Sequence, residues 1–322
     1  MEAVPASGVA VGVDVGGTKL AAGLVAADGS VLDRTRFSTP DTADGIVDRI
    51  VEAVTQFCQR HHLTDPPVGV GAAGLIDRDG TVRFSPNLPW RDFALRQALR
   101  DHLHGPLSVD NDANVAAWGE YRFGAGRDAH QSLVMLTIGT GVGGGLVLED
   151  RLVRGAGGMA GELGHIAVLE GGPPCPCGAS GCLEAMSSGT AIARMASKAR
   201  AGGRLRPHSR LAGAREEELT GKAVTVAAHA GDPDAIEILA TAGRWLGVAI
   251  ASLVAAFDPE VVVLGGGAMQ AGHLLAEPAV ASAQSRLIGR GYRELPPVVP
   301  AALADDAGIV GAASLALTVA AG

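Results

Sequence analysis

Residues 11–32 read VGVDVGGTKLAAGLVAADGSVL, and residues 136–153 read LTIGTGVGGGLVLEDRLV. Both follow one plan: a β-rich apolar run, a glycine turn, a second apolar run, an acidic turn and a short third run. In the first copy Val9 to Val15 ends on Gly16-Gly17, Leu20 to Val25 follows, and Asp28-Gly29 is a hairpin-type turn before Val31-Leu32. In the second copy Leu133 to Ile138 is the strand and Gly139 to Gly145 the glycine turn. Leu146 to Leu148 is the next strand, and Glu149-Asp150 is the acidic turn before Leu152-Val153. The recurrence is a weak internal duplication. Two related α/β halves imply a ligand cleft between them, at strand carboxyl ends.

Outward from the first copy, Ile46, Val47, Ile50, Val51, Val54 and Phe57 recur at helical spacing, and Val68 to Ala73 is a further strand. Val115 to Tyr121 reads as a helix behind a strand ending near Asp110. Later, Pro233 to Phe257 reads as a helix, Val261 to Leu264 as a strand closed by Gly265-Gly266-Gly267, and Ala307 to Ala320 as a final helix. The polar, basic segment from Ala196 to Leu219 reads as a surface insertion.

The length of 322 residues suggests roughly two domains. Apolar residues make up 47% but aromatics only 3%, so aliphatic side chains must fill the core. A net charge of -8 argues against nucleic acid as a partner. The opening MEAVPASG has no basic region ahead of an apolar stretch, so no signal peptide is expected. The longest apolar run, Trp245 to Phe257, is shorter than the roughly 20 residues a membrane span needs. A cytoplasmic protein, away from membranes, is the expectation, and in that reducing compartment clustered cysteines read as metal or catalysis rather than a disulfide.

Three motifs carry chemistry. The turn from Asp14 through Gly16, Gly17 and Thr18 to Lys19 presents a carboxylate, open backbone N–H groups, a hydroxyl and an ammonium. N–H groups free of Cβ atoms cradle phosphate oxygens, and a carboxylate there suits Mg²⁺ held through water. The bland alternative is a hairpin with a surface lysine. The segment Gly139-Thr140-Gly141-Val142-Gly143-Gly144 matches G-x-G-x-x-G, yet the residues after it read as a strand, so the dinucleotide fingerprint fails its context. No Walker A pattern occurs either. Asp110-Asn111-Asp112-Ala113-Asn114 follows a strand and opens a helix, where the dipole favours a carboxylate. One residue suffices for N-capping, and this stretch holds four candidates. A general base needs such a fixed carboxylate beside an amide donor. Finally, Cys175, Cys177 and Cys182, with His165 upstream, form a Cys₃His set suited to tetrahedral structural zinc. C-x-C spacing argues against a redox dithiol. Cysteines merely packed together is the alternative, and the surrounding glycines and prolines disfavour it. Glu162 and Glu184 flank this knuckle, which would hold them in place. Ser85-Pro86-Asn87-Leu88-Pro89-Trp90 is a proline-stiffened loop.

Together DVGGTK, VDNDANVAAWGE, IGTGVGGGLV, GELGH, CPCGASGCLE and the late LGGG resemble the ROK family of sugar kinases and repressors, in order and spacing over nearly the whole chain. The resemblance implies a two-lobed actin-like ATPase, or ribonuclease H-like, α/β fold with a duplicated core and a zinc-binding knuckle. The lobes would be residues 1–114 with 305–322, and residues 115–304. It implies an ATP-dependent hexose kinase, closest to the glucokinases, with ATP, Mg²⁺ and structural Zn²⁺. Asp112 matches the catalytic base. Asn87, Asn111, Glu162, His165 and Glu184 match sugar contacts; Cys175, Cys177, Cys182 and again His165 match zinc ligands. Asp14, Gly16, Gly17, Thr18, Lys19, Thr140, Gly141, Gly265 and Gly266 fall on the nucleotide and phosphate turns. Members are usually homodimers or homotetramers. The repressors carry an extra N-terminal helix-turn-helix, for which a first strand near residue 9 leaves no room. The rivals are a kinase for fructose, mannose or an N-acyl amino sugar, a non-catalytic sugar sensor, and, weakly, an NAD-dependent dehydrogenase.

Overall fold

The structure, a computed structural model, describes residues 8–321; the opening segment read for a leader lies, but for Gly8, outside them. In chain order its elements are β1 (Val9–Val15), β2 (Lys19–Ala26), β3 (Val31–Ser38), α1 (Ala43–His61), β4 (Val68–Ala72), β5 (Leu75–Ile76), β6 (Val82–Phe84), β7 (Arg91–Phe93), α2 (Leu95–Arg100), β8 (Leu107–Asn111), α3 (Asp112–Phe123), β9 (Ser132–Ile138), β10 (Val142–Leu148), β11 (Arg151–Leu152), α4 (Leu183–Ser187), α5 (Gly189–Ala201), α6 (Gly221–His229), α7 (Pro233–Phe257), β12 (Val261–Gly265), α8 (His273–Arg286), β13 (Val298–Pro300) and α9 (Ala307–Ala321).

The chain is of the α/β class, and its duplication is explicit in the sheets. One five-stranded sheet has the order β3-β2-β1-β4-β8, the other β11-β10-β9-β12-β13, the same order of appearance along the chain. In the first, β1 and β2 run antiparallel, while β1, β4 and β8 run parallel. In the second, β10 and β11 run antiparallel, and β12 and β13 parallel. A small sheet of β5, β6 and β7 carries the SPNLPW loop between its last two strands.

Two compact units divide the chain: Met1–Leu133, Gly145–Gly161 and Ala301–Gly322 form one, and Val134–Gly144 and Glu162–Pro300 the other. In the first, α1 buries Ile46, Val47, Ile50, Ala53, Val54 and Phe57 in a core shared with the valines of β1 and β4 and with Trp90. Helix α9 lies close against the strands. An ideal Cβ on Gly12 would stand 1.8 Å from the Ile309 carbonyl oxygen, and one on Gly69 1.8 Å from that of Ala312. Neither strand centre nor helix backbone yields cheaply. Gly69→Ala is therefore expected to cost about 3 kcal/mol or more. Urea unfolding measures it, and a cost under about 1 kcal/mol would refute the close approach.

In the second unit α7 starts at Asp232, whose side chain accepts from the N–H groups of Asp234 and Ala235, with Pro233 in the first turn. It runs 25 residues, well beyond its longest apolar run, and by length and composition it is the one described helix able to cross a membrane. Yet 56% of its most apolar window is buried. An ideal Cβ on Gly247 would stand 2.2 Å from the Ala279 carbonyl oxygen of α8, so the two helices meet at backbone distance. The segment 196–219 is also not a surface insertion throughout. Helix α5 extends to Ala201, and Ala196, Leu211 and Leu219 are buried among residues of α5, α6 and α7. Asp232 holds the loop, accepting from Ser209 Oγ (2.9 Å) and Arg210 N–H (2.7 Å). Its few apolar residues, spaced irregularly, hid this from a reading by periodicity.

The glycine turn of the second copy is shorter than expected. Gly143, Gly144 and Gly145 lie inside β10 rather than in a turn running to Gly145. Gly144 and Gly145 are small for packing: an ideal Cβ on Gly144 would stand 2.6 Å from Leu163, and one on Gly145 2.4 Å from Ala117.

Candidate active site and metal centre

In the first unit, the parallel register aligns Val15 of β1 with Ala72 of β4, and Ala72 with Asn111 of β8. Three carboxyl ends thus finish level, the usual place for ligands on a parallel sheet. The first copy's glycine turn leaves β1 there. Gly17 approaches the SPNLPW loop, since an ideal Cβ on it would stand 2.9 Å from Asn87 Cβ. Trp90, fully buried and stacked on Phe93 at 5.9 Å, anchors that loop and leaves Asn87 exposed. Asn111 Nδ2 donates to the Gly74 carbonyl (3.0 Å).

Helix α3 begins at this edge. Asn111 is its N-cap, its Oδ1 accepting from the N–H groups of Ala113 (2.8 Å) and Asn114 (3.0 Å). Capping is thus done by the neighbour, and Asp112 occupies the first helical turn, its Oδ1 accepting from Ala113 N–H (2.8 Å). Burial raises the pKa of the Asp112 carboxyl above its ordinary value, outweighing the hydrogen bonds that lower it. Asp14 at the end of β1 is pushed up to about 7, by burial first and by the Asp112 charge second, with Lys19 opposing. Lys19 Nζ lies 3.8 Å from Asp305. Two carboxyls that resist ionising together, beside open backbone N–H groups and one ammonium, suit a divalent cation and a phosphate. Asp14, Gly16, Gly17, Thr18, Lys19, Asn87, Asn111 and Asp112 thus gather in one unit.

The remaining candidates gather in the second unit. His165 closes a short 3₁₀ turn behind Glu162. Its Nδ1 lies 3.6 Å from Cys175 Sγ, and its Nε2 3.9 Å from Glu162 Oε2. Cys177 Sγ and Cys182 Sγ are 3.7 Å apart. The four ligand atoms of His165, Cys175, Cys177 and Cys182 all lie within 4.8 Å of one another. Three thiols and an imidazole so spaced fit a tetrahedral soft cation such as Zn²⁺. Burial pushes the Cys175 thiol up to about 12 and raises that of Cys182. A backbone hydrogen bond from Ala179 lowers that of Cys177. Buried thiols reluctant to ionise alone become ligands when a metal supplies the charge. The fourth cysteine, Cys58, stands apart on α1.

Glu184, in the first turn of α4, bridges this cluster and the second glycine turn. Its Oε1 lies 3.7 Å from Cys175 Sγ, and its Oε2 accepts from Val142 N–H (3.0 Å). Gly141 lies close beneath it: an ideal Cβ there would stand 2.3 Å from Glu184 Oε2, so a larger residue would displace that carboxylate. The Thr140 carbonyl accepts from Thr190 Oγ1 (2.8 Å), which tethers the turn to α5. Gly265 ends β12, and Gly266 follows at φ +87°, where an ideal Cβ would stand 2.5 Å from the Ile138 carbonyl oxygen.

One pair is not apparent from the sequence. Arg154 Nε donates to Asp110 Oδ2 (2.5 Å) in the first unit. Asp110 Oδ1 accepts from Asn111 N–H (2.8 Å) and Asn114 Nδ2 (3.0 Å). Nothing in the local pattern marks Arg154, which lies 44 residues away along the chain.

A model of the ROK family matches residues 10–319. The glucokinase of Streptomyces coelicolor is 40% identical over 313 residues, 96% of this chain and 98% of that protein. Among solved structures, a ROK family glucokinase from Streptomyces griseus, in complex with glucose and AMPPNP, is 40% identical with a TM-score of 0.83. The match covers 96% of this chain and 99% of that one. A ROK hexokinase from Thermus thermophilus is 36% identical, also with a TM-score of 0.83, over 98% and 100%. With the family pattern spanning all but the chain's ends, and with relatives matched from end to end at this identity, the chain belongs to the ROK family.

Proposed function

We propose that this chain is an ATP-dependent glucokinase that phosphorylates the 6-hydroxyl of glucose. The observation that carries the reading is Asp112: a carboxyl of raised pKa, at the start of α3, beside the amide of Asn111 and level with the end of β1. Similarity to a glucokinase at 40% identity, and a similar glucokinase structure holding glucose and AMPPNP, support the substrates.

Asp112 accepts the hydroxyl proton as the oxygen attacks the γ-phosphorus in line and the bond to the β–γ bridging oxygen breaks, releasing ADP; its raised pKa makes it a better acceptor. Asn87, Asn111, Glu162, His165 and Glu184 orient the sugar. Gly16, Gly17, Thr18 and Lys19, with Thr140, Gly141, Gly265 and Gly266, cradle the nucleotide's phosphates through backbone N–H groups and the ammonium. Asp14 would hold Mg²⁺, which when bound neutralises phosphate charge. His165, Cys175, Cys177 and Cys182 would hold Zn²⁺, which fixes a loop of little apolar core.

The moving bodies are read as residues 1–114 with 305–322, and residues 115–304. The compact units divide differently, and hydrogen exchange with and without ligands distinguishes the two partitions. A homodimer or homotetramer in the cytoplasm completes the reading, and light scattering measures the assembly.

ADP release from Mg-ATP against glucose, mannose, fructose, glucosamine, N-acetylglucosamine and N-acetylmannosamine tests the function. Turnover is expected with glucose at a kcat/KM at least about tenfold above the others. Preference for another sugar would keep the chemistry and move the substrate. Silence with every sugar would leave a sensor.

A further inference from the structure

Strand β8 ends its sheet, and an open pocket of about 530 Å³ lies along it, wholly within the first unit. Four arginines line it, Arg78, Arg96, Arg100 and Arg154, against two carboxylates, Asp77 and Asp110. Both carboxylates are engaged. Asp77 pairs with Arg83 at 2.8 Å, and Asp110 with Arg154 at 2.5 Å. Arg78 spends Nε and Nη2 on the Gly155 carbonyl, and Arg96 spends Nη1 on the Arg78 carbonyl. Neither makes an ion pair among the described residues, and Arg96 Nε is buried with no acceptor at all. The Arg100 side chain, exposed at the end of α2, has neither a hydrogen-bond nor an ion-pair partner among the described residues. In a chain of net charge -8 this is a concentration of unspent cationic donors. Burial and the neighbouring Arg100 charge lower the pKa of Arg96, against the opposing charges of Asp79, Asp110 and Asp77.

Guanidinium forks match the oxygens of a phosphate, and a dianion balances two of them. An uncompensated buried donor costs free energy until an acceptor arrives. The volume exceeds what a bare ion needs and falls in the range of small-molecule sites. Ile76, Leu107, Val109 and Leu152 supply apolar wall for an organic body. We propose that this pocket binds a small phosphomonoester, separate from the sugar and nucleotide contacts assigned above.

Its position gives it a physical connection to Asp112. Arg154 faces the pocket, its partner Asp110 also holds Asn111 and Asn114, and these flank Asp112. A phosphate that engages Arg154 competes with Asp110 for that guanidinium.

Titration calorimetry on the full-length chain, without sugar or nucleotide, tests the site independently of the kinase reading. The probes are glycerol 3-phosphate and inorganic phosphate. One phosphomonoester per chain is expected, with Kd at or below about 1 mM. Arg100→Glu is expected to weaken it at least about tenfold, and Lys19→Ala, on the other phosphate-binding turn, to leave it unchanged. Arg100→Gln serves if the charge reversal disturbs folding by circular dichroism. Equal affinity for inorganic phosphate assigns the site to phosphate itself, and tighter binding of the ester to a phosphorylated metabolite; either supports the shared chemistry. No binding at about tenfold above 1 mM, binding indifferent to both Arg100 variants, or binding lost in Lys19→Ala would overturn the proposal.

Discussion

Asp112→Asn is expected to lower kcat for sugar phosphorylation by about 10²- to 10⁴-fold and to leave the fold intact. The asparagine retains an oxygen for the Ala113 N–H, and Asn111 still caps α3, so the helix start survives. What is lost is the proton acceptor. Stability moves the other way, and its sign follows from the raised pKa. The folded state disfavours the ionised carboxyl, so its penalty is absent below the unfolded value, near 3.9, and fully present above the folded value. Asn removes that penalty. The variant should therefore match the wild type in stability at about pH 3.5 and gain on it as pH rises from the unfolded value toward the folded one, with no further gain above that. In the wild type, kcat/KM should fall as pH drops through the same range. Since the Asp112 charge helps push Asp14 up to about 7, the acid limb belongs to the pair rather than to either residue. Steady-state kinetics across pH and urea unfolding of both proteins measure all of this. Ordinary turnover in folded Asp112→Asn protein would remove Asp112 as base, and an acid limb near pH 4 would mean that burial is not felt.

Metal content carries the second large effect. The purified chain should hold about one zinc, and Cys182→Ser should reduce that below about a tenth. Cys182 is almost fully buried beside Cys177, and its neighbour Leu183 opens α4, which carries Glu184. Losing the metal should thus loosen both the knuckle and the Glu184 contact to Val142. Tm is expected to drop by roughly 5–10 °C, and kcat/KM for glucose with it. Cys58→Ser, outside the cluster, should change neither zinc content nor kinetics. Plasma emission analysis and calorimetry read the outcome. Active protein with no bound metal would end the Cys₃His assignment.

Much of the architecture was legible because it is written over short spans. Strand β1 and helix α7 fall where periodicity and turn residues put them, since alternation, a 3.6-residue repeat and a Gly-Gly stop act within a turn or two of chain. The recurring plan of residues 11–32 and 136–153 likewise pointed to two related halves, and the structure gives each a sheet of the same strand order. Asp112 was singled out because a strand end followed by a helix start is a local event. The Cys₃His set was visible because its ligands span only residues 165–182.

What tertiary structure alone decided depends on partners remote in sequence. Gly143, Gly144 and Gly145 look like a turn by composition, but Leu163 and Ala117, packed against β10, make the last two small inside a strand. Leu211 and Leu219 look exposed in a polar segment until α6 and α7 supply their core. Asp110 meets Arg154, and Arg78, Arg96 and Arg100 face one pocket, only once β8 lies at its sheet edge. Short-range sterics and hydrogen bonding are encoded residue by residue, whereas burial and charge pairing arise when distant segments meet.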